Sequence, residues 1–428
     1  MTQGFAGENG ASFRYFFLKS SVHLRRFCER SQRHNPAIEY SNLTNMQNIN
    51  DVFLEHFGDD SAAFTIRAPG RVNLIGEHVD YNDGLVLPMA LSLQTTLRVR
   101  PREDKYVKLY ATEFKQEQSF SLDSLQKTDS WIDYVQGVAD ELQKRGIQLR
   151  GFEGVIESTV PIASGLSSSA AIEVGACLAF LHVIEYSMPE TEVALLCQAA
   201  ENKFIGVNSG IMDQMAVAAC ERDHALLLDC RSLEMRQVPF KLSEYSVVVT
   251  NSGAPRELAS SAYNERRAQC EEGLAILQKF LPNAKSLRDV SVEDLDKYED
   301  ELSPVVRNRV RHVVEEIART QEAVNVLEAG DLQTFGRLMN ESHFSLRDNY
   351  EVSSRELDWL TAWARSQDGV LGSRMTGAGF GGCTVSLVRK DVVPEFMKNQ
   401  PIEYSKATGR TALCWECEAA QGAQVLVS

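Results

Sequence analysis

The sequence predicts an α+β protein of two domains, and three observations carry that expectation. Its 428 residues exceed what one ordinary hydrophobic core serves. Short alternating runs of strand type recur without a fixed-period repeat or a low-complexity tract. Long helical patterns follow residue 251 and give way to strand again at 383–388. A boundary near residues 230–245 divides the chain into an extension (1–45), an N-terminal domain (46–240) and a C-terminal domain (241–428).

Along the chain, Val52–Phe57 is a short amphipathic piece ahead of a strand at Phe64–Arg67. Alternation in TTLRVR (95–100), YVKLYA (106–111) and QSFSL (118–122) predicts antiparallel strands. DSWIDYVQGVADELQKRG (129–146) predicts a helix capped by Asp129 or Ser130 and ended by Gly146. FEGVIES (152–158) is a strand, and the Ser-rich PIASGLSSSAA (161–171) follows it. SAAIEVGACLAFLHVI (169–184) is apolar nearly all round, the mark of a buried helix. PETEVALLCQAAENK (189–203) is helical, and ALLLD (225–229) and YSVVVTN (245–251) are strands. A long helix opens at Ser303-Pro304 and stops at Gly330, with Asp331 placed to cap the next. CTVSLV (383–388) is a late strand.

Composition excludes several function classes. Hydrophobic residues at 43% and charged residues at 24% suit a soluble globular chain. No stretch approaches the roughly 18–20 uninterrupted apolar residues of a membrane span. With 44 basic and 59 acidic residues the net charge is −15, which argues against nucleic acid as a partner. A bound phosphate must therefore be held locally, by backbone dipoles, a metal or single basic residues. Nine cysteines, mostly in apolar company, point to a reducing compartment such as the cytoplasm. Cys414 and Cys417 form a lone CxxC without a second pair or a nearby His, which reads as two side chains of a terminal strand. Residues 1–45 carry six Lys/Arg and three acids without a clear period. They read as a disordered tail, or an upstream start ahead of Met46, rather than a transit-like presequence, whose acidic-poor signature Glu29 and Glu39 spoil.

Four stretches carry chemistry. A Ser-rich run is ordinarily a linker, yet PIASGLSSSAA runs from a strand straight into a core helix. Glycine and serines at a helix start expose N–H groups that attract an anion, best of all a phosphate. It is no Walker loop, because no Lys follows the glycine. MTGAGFGGC (375–383) satisfies GxGxxG literally, but a strand follows it, so a glycine turn approaching a ligand or the other domain fits better than a dinucleotide site. RAPGRVNLIGEHVDYNDGLVLPMAL (67–91) sets Arg71, Glu77, His78 and Asp80 amid apolar residues, where a ligand with several hydroxyls would satisfy them. In NSGIMDQMAV (208–217), Asp213 falls near a helix start after Gly210, fit for a base, a hydroxyl acceptor or a first-turn capping acid. No His/Cys set has zinc spacing.

Together these stretches resemble the GHMP small-molecule kinases, and within them the galactokinases. GRVNLIGEHVDYNDGLVLPMAL is similar to the galactokinase signature, PIASGLSSSAA to the family's phosphate loop, and TGAGFGGC to its third motif. The likeness runs in order from about Met46 to the end. It implies phosphoryl transfer from ATP to the 1-hydroxyl of galactose, the first committed step of galactose catabolism, with Mg2+. By motif position it implies that Asp213 aligns or accepts the hydroxyl proton, with Arg71 beside it. Glu77, His78, Asp80, Gly210 and Tyr263 (in SSAYNERR) would meet the sugar. Ala163, Gly165, Ser167 and Ser168 would wrap the phosphates, Ser169 and Glu201 would hold magnesium, and Trp131 would lie near the adenine. It also implies an N-terminal domain like ribosomal protein S5 domain 2, a ferredoxin-like C-terminal domain, and a site between them. Ala163-Ser164 stand where many galactokinases carry glycines.

Two alternatives remain at this level. N-acetylgalactosamine kinase has similar motifs, and a non-catalytic galactose and ATP sensor would act through a protein partner. An uninterrupted GLSSSAA and the presence of Asp213 favour catalysis, and NDGLVLPMAL leans toward galactose. The implied partners are small molecules; the oligomeric state stays open, a monomer being compatible.

Overall fold

A computed structural model of the chain describes residues 48–162, 164–255 and 259–426. Residues 1–45 and Ala163 therefore lie outside the described residues. The strands in chain order are β1 (Phe64–Asn73), β2 (Leu85–Val86), β3 (Pro88–Pro101), β4 (Tyr106–Ala111), β5 (Gln116–Ser121), β6 (Phe152–Ser158), β7 (His224–Asp229), β8 (Met235–Pro239), β9 (Tyr245–Asn251), β10 (Val370–Thr376), β11 (Cys383–Arg389), β12 (Leu413–Cys417) and β13 (Gln424–Leu426). They form a six-stranded sheet β13-β1-β3-β6-β4-β5, a four-stranded sheet β10-β11-β9-β12 and a small sheet β2-β7-β8. The α+β class expected from the sequence holds.

β1 alternates in burial at its start and is buried on both faces from Ala68 onward, where it enters the site. Its register against β3 shifts between Pro69 and Arg71, a bulge of the kind that re-aims a side chain. The helix Ser168–Val183 crosses this sheet and, as its all-round apolar pattern requires, is buried at Val174, Cys177 and Phe180. Val174 and Phe180 each contribute about 1.5–3 kcal/mol on burial. Gly175 lets it sit close, since a Cβ there would come within 2.9 Å of Leu97 Cδ1.

In the second half, β9 leads through helices to the β10–β11 hairpin, and the helix Val393–Thr408 leads on to β12. With the all-antiparallel order β10-β11-β9-β12 this is the split βαβ, ferredoxin-like arrangement. Residue 240 falls between β8 and β9, which belong to different sheets. The final strand β13 returns to the first sheet, pairing Leu426 with Thr65. One buried apolar cluster runs from Leu97 and Phe180 to Val310 and Tyr350, so the halves share packing.

Local chemistry follows the sequence with one shift. The helix expected from Asp129 or Ser130 spans Asp133–Lys144, and Ile132 precedes it without a side-chain cap. Asp133 instead accepts from the Thr128 and Ser130 N–H groups, so an acid in the first turn anchors the incoming loop. Ser303 accepts from Val306 N–H, Gly330 stands at φ +76°, and Asp331 accepts from Thr334 N–H at 2.9 Å, as the pattern predicted. Cys414 and Cys417 sit on β12 three residues apart, hence on opposite faces. Among the described residues no cluster of three His, Cys, Asp or Glu could hold a metal, and no helix is long and apolar enough to cross a membrane.

Candidate active site

The Ser-rich stretch is a turn seated on β1. Gly70 occupies the β1 bulge because a Cβ there would lie 2.8 Å from Leu166 O, and Arg71 N–H donates to that same oxygen at 3.1 Å. Ser164 Oγ closes the turn on Pro161 O at 2.7 Å. Gly165 takes φ +85° and Ser167 φ +61°, a left-handed value that a serine adopts at a penalty of about 1 kcal/mol. Ser167 stands before the helix Ser168–Val183 but makes no side-chain cap. Its hydroxyl goes to Asp213 Oδ2 at 2.6 Å. The leading N–H groups of the helix are thereby left to an incoming anion, with the Ser168 and Ser169 side chains half-buried beside them.

Asp213 lies in the first turn of the helix Met212–Ala219 and makes no cap bond there. Arg71 grips its Oδ1 from Nε at 2.9 Å and Nη2 at 2.5 Å, while Arg71 Nη1 donates to Gly165 O at 2.6 Å. The Arg71 side chain is 5% exposed and that of Asp213 29%, so the carboxylate is the accessible end of the pair. With both of these guanidinium nitrogens on one carboxylate oxygen and Ser167 on the other, charge and orientation are fixed together.

Glu201 opens a single π-helical turn after the helix Glu190–Ala200. Its carboxylate takes the Ser209 hydroxyl and Gln214 Nε2 at 2.9 Å, and the Ser169 hydroxyl lies beside it. Burial pushes its pKa up, and the charge of Asp213 adds to the shift. Behind it, fully buried Glu173 receives Gln214 Nε2 at 3.1 Å and is also pushed up by burial and by Glu201. Ser169 and Glu201 thus form an oxygen-only pair in a crowd of carboxylates short of positive charge, a donor set that suits a hard divalent cation.

The acidic loop sits on the opposite flank. Glu77 is buried; its Oε1 accepts from Gly377 N–H at 2.9 Å, and its Oε2 meets Arg374 Nη2 at 2.9 Å and Asn73 Nδ2 at 3.3 Å. Burial raises its pKa and the Arg374 guanidinium opposes this. His78 takes φ +62°, with Nδ1 2.8 Å from the Tyr81 hydroxyl and Nε2 3.3 Å from Ala378 O. Burial lowers its pKa to about 3, so the ring is neutral. Asp80 is half-buried, and desolvation, Asp213 and Glu77 together raise it to about 7. Gly210 lies so close that a Cβ would fall 1.8 Å from Asp80 Oδ2. The Tyr263 ring, from the helix Ala259–Leu277, stands 5.6 Å from the His78 ring.

The structure thus brings Arg71, Gly165, Ser167 and Asp213 together in one knot and Ser169 with Glu201 in a second. A third joins Glu77, His78, Asp80, Gly210 and Tyr263. Trp131 is buried, stacked at 6.4 Å on Phe114, and its indole N–H finds no partner among the described residues. The glycine turn at 375–383 approaches the first half: a Cβ on Gly377 would come 3.0 Å from Gly165 O. Sequence reasoning missed Arg374, fully buried behind Glu77, and missed His312 and Glu316. A charged residue within the apolar face of a helix is the one signal that RHVVEEIAR (311–319) offered.

Known proteins are similar to the chain in sequence and in fold. The galactokinase galactose-binding signature matches residues 51–101, the GHMP kinase N-terminal domain residues 133–221, and the GHMP kinase C-terminal domain residues 322–403. The chain is 46% identical over 375 residues to a galactokinase of Roseiflexus sp. (strain RS-1), covering 87% of this chain and 95% of the relative. It is also 46% identical to a galactokinase of Chloroflexus aurantiacus, over 86% of this chain and 95% of that one. The Lactococcus lactis galactokinase solved with galactose superposes with a TM-score of 0.84 at 41% identity, over 87% of this chain and 98% of that one. A Methanococcus jannaschii mevalonate kinase, 18% identical with a TM-score of 0.58 over 83% of this chain and 98% of its own, shares the fold. By sequence and by architecture, the chain belongs to the galactokinase family of GHMP kinases.

Proposed function

We propose that this protein transfers the γ-phosphoryl group of ATP to the 1-hydroxyl of galactose, giving galactose 1-phosphate and ADP. The observation that carries the reading is Asp213, held by Arg71 and Ser167 with its carboxylate accessible between the serine turn and the acidic loop. Phosphoryl transfer needs positioning and charge stabilisation more than covalent help. Asp213 orients the sugar hydroxyl and takes its proton as the O–P bond forms and the bond to ADP breaks. A carboxylate is a far weaker base than an alkoxide, so the proton moves late. Arg71 keeps Asp213 in place and faces the charge that builds on the phosphoryl group. The serine turn and the start of the helix Ser168–Val183 cradle the phosphates. Ser169 and Glu201 are the residues that would hold Mg2+, which when bound neutralises phosphate charge.

Glu77, His78, Asp80, Gly210 and Tyr263 form the sugar side in this reading, and Trp131 supports the adenine. Residues 46–240 and 241–428 are its two domains, with β13 returned to the first. The eight described cysteines are free thiols, which supports a cytoplasmic setting. The test is ADP release by the purified chain with Mg-ATP and galactose, N-acetylgalactosamine, mevalonate or no acceptor. Galactose is expected to drive release well above the others. Preference for N-acetylgalactosamine would change the substrate, and binding of galactose and ATP without turnover would favour a sensor.

A further inference from the structure

The loop Gly76–Asp80 is fastened from behind by the helix Pro304–Glu328, some 240 residues downstream. Glu316, with none of its surface exposed, accepts through Oε1 from Gly76 N–H at 3.0 Å and Glu77 N–H at 3.3 Å, and from the Ser342 hydroxyl at 2.6 Å. Its Oε2 takes Arg319. His312, equally buried, sets Nε2 3.1 Å from Glu77 O and Nδ1 2.9 Å from Ser345 Oγ. Since a carbonyl only accepts, Nε2 carries the proton and Nδ1 accepts from Ser345.

We infer that Glu316 and His312 are positioning residues for the acceptor sugar: they fix the backbone of Gly76 and Glu77 and so set where Glu77, His78 and Asp80 meet it. The inference rests on the sugar reading above. Three backbone groups of one short loop end on these two side chains, and the loop needs them. Gly76 stands at φ +90° and His78 at φ +62°, conformations that persist only where the surroundings over-determine them. Gly76 has no room to relax, since a Cβ there would lie 2.5 Å from Leu85 O and 3.1 Å from Thr320 Oγ1. Although burial opposes its charge, the Arg319 guanidinium above all holds the Glu316 pKa down at about 2, so it acts as a full anion. A neutral amide in its place would present one acceptor oxygen where three donors and a guanidinium now converge.

The experiment compares galactose affinity by calorimetry, KM for galactose, KM for ATP and Tm in the full chain. Glu316→Gln and His312→Phe are expected to weaken galactose binding about tenfold while leaving the KM for ATP within about twofold. His312→Gln, whose amide keeps a donor in reach of Glu77 O, is expected to restore galactose affinity. Ser342→Ala removes one donor to Glu316 and gives a smaller shift in the same direction should Glu316→Gln fail to fold. Lowered Tm with unchanged galactose affinity, or equal losses toward sugar and ATP, would overturn the inference in favour of a merely structural role. A wild-type chain that binds no galactose would instead sink the sugar reading, and this inference with it.

Discussion

At the serine turn, Arg71, Gly165, Ser167 and Asp213 meet through short contacts among residues of the first half. At the acidic loop, Glu77 is held by Asn73 and, from the second half, by Arg374 and Gly377, and its backbone by His312 and Glu316 of that same half. One side is a local knot tied at a bulge and a helix start. The other is a loop braced against a distant buried network. The geometry of the serine turn therefore follows from turn and helix-end physics. The geometry of the acidic loop depends on how the two halves pack.

The difference is sharpest at Asp213. Asp213→Asn keeps the shape but loses the proton acceptor, so kcat is expected to fall by about a hundredfold or more while galactose binding stays within a few-fold. Because Arg71 and Asp213 act as one unit, Arg71→Ala added to Asp213→Asn should cost far less than Arg71→Ala alone. Single-turnover rates for the two single variants and the double close the cycle. Additive losses would mean that Arg71 acts on the phosphoryl group independently of Asp213.

This asymmetry also explains what the sequence revealed. GLSSSAA carries its mechanism in consecutive residues: a glycine for φ +85°, small polar residues for the turn, and an apolar run for the buried helix. YVKLYA, FEGVIES and YSVVVTN appear as strands at those boundaries, because alternation and β-branched content are local. The helix expected at Asp129 or Ser130 begins later, because Asp133 spends its carboxylate on the loop before it. His312, Glu316 and Arg374 stayed hidden for another reason. Their partners in the first half lie 235 to 301 residues away, and no period within a helix or strand encodes a tertiary hydrogen bond.

Gly210 joins the two sides, which makes it the next place to break the comparison. It precedes the helix of Asp213 and packs against the Asp80 carboxylate, where a Cβ would come within 1.8 Å of Oδ2. Gly210→Ala is expected to push Asp80 away and raise the KM for galactose about tenfold, with a smaller effect on kcat. If kcat falls instead and KM holds, the added methyl has moved Asp213, and the two sides are less separate than their contacts indicate.

The smallest expected effect concerns Asp80 and pH. Burial, Asp213 and Glu77 raise its pKa to about 7 from an ordinary 3.8, so near neutrality it is partly protonated. A carboxyl raised in the folded state favours folding most below its unfolded pKa. That contribution is lost as pH climbs from about 4 to 7 and stays lost above. Asp80→Asn should therefore gain stability relative to wild type across that window, read as a Tm difference that grows with pH. Galactose binding runs the other way. The ionised carboxylate is the stronger acceptor for a sugar hydroxyl. Wild-type affinity is then expected to rise about threefold between pH 6 and 8, and Asp80→Asn to remove that rise. A flat wild-type profile beside an intact stability difference would mean that the sugar does not meet Asp80 through its charge.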